Sequence, residues 1–75
     1  VEAEFDGKEL ARALDAFLRT LPERECSLFL RRYWFVDSVR DIASRYSMNE
    51  NNVKSILFRT REKLRKYLEQ EGITV

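Results

Sequence analysis

The chain has 75 residues, 44% hydrophobic and 36% charged, with two Gly, one Pro, one Cys and no His. That composition fits one small, helix-rich domain and argues against a disordered tail or a many-turned β domain. Without His, a Cys/His zinc site and a Ser-His or Cys-His nucleophile pair are excluded, and the single Cys26 cannot form an internal disulfide, which suits a reducing cytoplasm.

Residues 1–7, VEAEFDG, are acidic and end in Gly, so they read as a linker or a frayed entry. The start at Val1 reads as a fragment or a processed chain. From Lys8, Leu10, Leu14, Phe17, Leu18 and Leu21 recur at helical spacing, which predicts a first helix to about Thr20. Leu21-Pro22 breaks it, because Pro disfavours a helical residue before it and has no N–H to donate. Pro is favoured in a first helical turn, and Glu23 and Glu25 suit the positive end of a helix dipole. A second helix therefore runs from Pro22 to about Trp34, burying Leu28, Phe29 and part of Tyr33 and Trp34. The aromatic cluster Tyr33, Trp34 and Phe35 reads as core.

After the short connection Phe35-Val36-Asp37, Ser38 offers an N-cap with Asp41 three residues on. The third helix spans about Val39 to Tyr46 and turns Val39, Ile42, Ala43 and Tyr46 inward. Ser47-Met48-Asn49 forms a tight turn, with Asn49 capping a fourth helix from Glu50 to about Glu69. Its inward stripe is Val53, Ile56 or Leu57, Thr60, Leu64 and Leu68, while Phe58 falls off that stripe. Gly72 reads as a helix stop. The fold class is all-α, a four-helix bundle without a wing, with residues 8–70 as the domain and 71–75 as a C-terminal tail.

The net charge of +1 hides an asymmetry. Val1 to Asp15 carries five acids against two bases, whereas Lys54 to Lys66 carries six bases against one acid. An anionic partner at the C-terminal half is indicated. The third and fourth helices fit a helix-turn-helix, in which small Ala43 lets two short helices approach so that the second protrudes. Its first residues can then reach base edges in the major groove. Glu50, Asn51, Asn52 and Ser55 are the candidate base readers. Asn pairs bidentately with adenine, Ser suits several bases, and Glu50 repels phosphates yet can accept from a cytosine amino group. Lys54, Arg59 and Arg61 are the candidate phosphate contacts. Ser38 and Arg40, opening the third helix, sit where backbone N–H groups and a cation can clamp a phosphate.

The stretches LPERE, LFLRRYW and DIASRYSMNENNVKSILFRTREKLRKYL resemble region 4 of sigma-70 family factors, particularly the extracytoplasmic-function type. The similarity runs without a gap from about Leu21 to Leu68. It implies recognition of the promoter −35 element in double-stranded DNA by the last helix, and docking on the β flap of RNA polymerase. An anti-sigma factor is a further candidate partner. Carried over by position, the family's base-reading sites fall on Glu50, Asn51 and Ser55, with Lys54 and Arg59 near the backbone and Ser38, Val39 and Arg40 on phosphates. The family usually has Gly in both turns, where this chain has Val36 and Ser47. A positive φ costs a non-Gly residue about 1 kcal/mol, tolerable for Ser but unwelcome for Val. The Val36 turn is therefore expected to adopt another shape. Ile56 stands where the small sigma factors often carry Arg.

Two other readings compete. A response-regulator output domain shares the Val53-Lys54-x-x-Leu57 segment, although LPERE and RRYW fit sigma factors better. A sigma-like module used only for protein contact is the other, supported by the absent glycines and the Ile at position 56. Scattered acids and the absence of a phosphate loop argue against an enzyme, so neither a cofactor nor a small-molecule substrate is expected. No apolar run approaches the roughly 20 residues of a membrane span and no signal peptide is visible, which points to the cytoplasm.

Overall fold

The computed structural model describes residues 7–73 as four helices: α1 (Gly7–Arg19), α2 (Glu23–Tyr33), α3 (Val39–Tyr46) and α4 (Glu50–Gln70). Apart from Gly7, which opens α1, the expected N-terminal linker lies outside the described residues, as do Thr74 and Val75 of the tail.

Each helix boundary has a local cause. The Thr20 hydroxyl donates to the Phe17 carbonyl at 2.7 Å and closes α1. Pro22 then takes the N-cap position of α2 and leaves the first helical residue to Glu23, one residue later than its preference for a first turn suggests. Ser38 caps α3, its Oγ accepting from the Asp41 N–H at 3.0 Å. Asn49 caps α4, its Oδ1 accepting from the N–H groups of Asn51 and Asn52 at 2.7 and 3.3 Å. Such caps satisfy amides that a helix start leaves without partners.

The core is Leu28 of α2, Ile42 and Ala43 of α3, and Val53 and Leu57 of α4, with Val39, Tyr46, Met48 and Ile56 packed around it. Of the two expected stripe positions it is Leu57 that is buried, while Ile56 is half-buried. Thr60 is the buried polar residue, satisfied by donating to the Ile56 carbonyl at 2.8 Å. At 2–3 kcal/mol for each large aliphatic side chain taken from water, roughly, this cluster dominates the packing of α2, α3 and α4. The long helix α4 extends beyond it, and α1 packs there, its Phe17 ring 5.5 Å from that of Tyr67.

Both turns around α3 contain a non-glycine residue in the left-handed region, Val36 at φ +61° and Ser47 at φ +55°. For Ser47 this matches the family's glycine. For Val36 it overturns the expectation of a different turn shape. The reason is a clasp at Asp37: its N–H donates to the Arg31 carbonyl at 2.9 Å and its carbonyl accepts from Arg32 Nη1 at 3.0 Å. Its carboxylate also lies 3.5 Å from Arg31 Nε. On the other side Phe35 N–H donates to the Leu30 carbonyl at 3.1 Å, so both sides of Val36 are held and the backbone tolerates the strain.

The aromatic cluster is a second correction. Tyr33, Trp34 and Phe35 are 44%, 76% and 58% exposed, so they are not core. α2 ends at Tyr33, and the Val36 turn carries the next residues away from the core, while α1 rests on α4 and leaves this end uncovered. At the far end of α4, Gly72 at φ +78° donates to the Glu69 carbonyl and Ile73 to the Leu68 carbonyl. This closure folds Ile73 back until it is buried, so the segment expected as a tail begins inside the fold.

Candidate nucleic-acid interface

α3 and α4 meet through Ile42, Ala43, Val53 and Leu57, with the turn at residues 47–49 between them. Met48 N–H donates to the Ala43 carbonyl at 2.8 Å, so the turn bonds directly to the helix it leaves. This packing turns Val53 and Leu57 inward. By the helical period, it turns Asn51, Lys54, Ser55 and Phe58 outward. Glu50, Asn51, Asn52, Lys54, Ser55 and Arg59 are all exposed. The side chains of Asn51 and Asn52 are not consumed as caps, because Asn49 performs that task with its own oxygen.

The opening of α3 is more mixed. Ser38 and Arg40 are exposed, whereas Val39 is half-buried against the core. Val39 can therefore meet a phosphate only through its backbone. The Ser38 Oγ accepts within its own cap, which leaves its proton free to donate. Arg61 stands apart from the other candidate phosphate contacts. Its Nη1 donates to Tyr33 Oη at 2.7 Å, which draws it toward the end of α2. Further along α4, Lys63 pairs with Glu25 at 3.2 Å. Arg65 pairs with Glu62 and Glu69, each at 2.9 Å. The hydrogen bond that Arg65 donates to Glu62, with support from Glu69, raises the Arg65 pKa above its usual value. Among the described residues, Arg40, Lys54, Arg59 and Lys66 make no ion pair. Ile56 packs against the core instead of standing on the outward face, so an apolar residue there removes nothing from the exposed stripe.

A second surface lies at the other end of the molecule. Ala11, Leu14 and Leu18 of α1, Leu30 and the aromatic end of α2, and Leu64 of α4 line an open apolar groove of about 840 Å³. Arg61 and Asp15 stand on its walls. Arg31 Cζ lies 4.5 Å above the Phe35 ring and steadies one side. The groove was not read from the sequence. Its signal was there in α1, whose apolar face is wider than a small core needs.

Compared with known protein families, residues 11–64 match sigma-70, region 4. The chain belongs to that family. No curated protein and no solved structure matches it. As a sigma-70 region 4 domain it is a DNA-binding helix-turn-helix module of transcription, which decides against the response-regulator reading. No helix among the described residues is long and apolar enough to cross a membrane.

Proposed function

We propose that this region 4 domain reads the promoter −35 element with the exposed N-terminal turns of α4 and docks through its apolar groove on the β flap of RNA polymerase. It acts by positioning polymerase and performs no chemistry itself. The observation that carries the DNA half is the outward stripe Asn51, Lys54 and Ser55, polar and with side chains unpartnered among the described residues, set on a helix whose other face is locked into the core. Glu50 and Asn52 flank that stripe, and Arg59 and Arg40 supply unpaired cations for phosphates. The groove supports the protein half, since a contiguous apolar surface rimmed by charges marks a partner site. A helical anti-sigma factor would compete for the same groove.

The test is selection of bound duplexes from a randomised pool, followed by anisotropy titrations with variants. Lys54→Ala and Arg59→Ala should weaken binding about equally on all sequences, whereas Asn51→Ala and Ser55→Ala should change which sequence is preferred. Unchanged binding in all four variants would overturn the contact assignment. Failure of the intact chain to bind any duplex at low salt, alongside tight binding to polymerase, would reduce it to a protein-contact module.

A further inference from the structure

We propose that Arg61 is the anion-reading residue of the apolar groove: it selects a protein segment that carries a carboxylate beside its apolar anchors. The inference rests on the reading of that groove as a docking surface and adds the charge of what docks there. Among the described residues, the groove lining carries two charged side chains, Asp15 and Arg61. Asp15 is answered within its own helix, its Oδ2 lying 3.0 Å from Arg19 Nε. Arg61 has no such answer. Its Nη1 donates to the Tyr33 hydroxyl at 2.7 Å, a neutral partner, and among the described residues it makes no ion pair. Its neighbours Lys63 and Arg65 both pair with acids. The groove therefore presents one uncompensated positive charge.

The geometry suits a carboxylate. A guanidinium carries its N–H donors in a planar fork, and Tyr33 engages only Nη1. Nε and Nη2 remain, and together they form the edge that takes both oxygens of a carboxylate side by side. The Tyr33 bond also restrains the side chain, so less freedom is lost when an anion arrives. Leu30, Trp34, Phe35 and Leu64 line the same groove. An occupant seated on them displaces water from around Arg61 and strengthens the attraction. A base in the same place would meet an unpaired like charge and be rejected. Arg61 also lies ten residues after Asn51, about 15 Å along the axis of α4 and more than the width of the major groove. Its position favours the apolar groove over the reading surface.

The experiment screens a displayed library of random peptides on the intact chain and on its Arg61 variants, then titrates the selected peptide by anisotropy. The intact chain should enrich spaced apolar anchors with an Asp or Glu at one fixed position. Arg61→Gln should enrich the anchors without the acid, and Arg61→Glu should enrich Lys or Arg in its place. Changing the peptide's acid to its amide should weaken binding to the intact chain about tenfold, the value of a hydrogen bond to a charged group. The same change should leave binding to Arg61→Gln unaltered. Both variants should keep the circular dichroism of the unaltered chain, because Arg61 is exposed. Anchors enriched without an acid, or a tenfold loss that persists in Arg61→Gln, would overturn the assignment and leave groove docking intact. So would a salt slope for duplex binding that is shallower by about 0.9 in Arg61→Gln, which would place this side chain on a phosphate. A library that yields no peptide weakened by Trp34→Ala would overturn the groove reading and this inference with it.

Discussion

The two turns that flank α3 solve one backbone problem in different ways. Each places a residue with a side chain where glycine is most at ease, Val36 before the helix and Ser47 after it. The Ser47 turn is closed by short-range backbone bonds, Ser47 N–H to the Ser44 carbonyl and Met48 N–H to the Ala43 carbonyl, and Asn49 follows at once as the next cap. The Val36 turn has backbone bonds of the same kind, Phe35 N–H to the Leu30 carbonyl and Asp37 N–H to the Arg31 carbonyl, and adds the side chains of Arg31 and Arg32 on Asp37. A small polar residue enters the left-handed region at modest cost, whereas a β-branched one must be held there by its neighbours. The Ser47 turn sits inside the helix-turn-helix, and the Val36 turn borders the exposed aromatic groove.

Substitutions can erase or sharpen this contrast, read as changes in urea-unfolding free energy. Ser47→Val gives the Ser47 turn the strain of the Val36 turn without its arginine clasp, and should cost about 1–2 kcal/mol. Asn49→Ala leaves the amides of Asn51 and Asn52 uncapped and should cost about 1 kcal/mol. Val36→Gly should stabilise the domain by roughly 0.5–1 kcal/mol, the relief of left-handed strain less the greater freedom of glycine in the unfolded chain. A loss of stability on that change would mean that the clasp does not hold Val36 against strain. Asp37→Asn keeps both backbone bonds and removes the half-buried ion pair with Arg31, so it should cost about 0.5 kcal/mol, and less at high salt.

The same contrast explains what could be read from residues alone. Ser38 with Asp41, and Asn49 with its two following amides, act within three positions, so their caps were visible as local patterns. The inward stripe of α4 was visible too, because Val53, Leu57, Thr60 and Leu68 repeat with the helical period. The positive φ of Val36 was not, since it depends on Arg31 and Arg32 folding onto Asp37. Nor was the exposure of Trp34 and Phe35, because an apolar pattern does not say which neighbour covers it. At the candidate interface the outward set Glu50 to Ser55 followed from the period. Arg61 departed from it because its partner, Tyr33, lies 28 residues earlier in the chain.

The partnered bases of α4 also carry a thermodynamic consequence. Arg61, Lys63 and Arg65 are already engaged with Tyr33, Glu25 and the Glu62 and Glu69 pair. Bases held this way neutralise fewer phosphates, and so release fewer of the counterions condensed on a duplex. Of the six bases from Lys54 to Lys66, Lys54, Arg59 and Lys66 remain as the cations able to neutralise duplex phosphates. The logarithm of the association constant should then fall with the logarithm of salt concentration at a slope of about −3, half of what the six bases of that segment would suggest. Much of the positive charge on this helix is spent on holding the domain together, and only a fraction can register as ions released into solution.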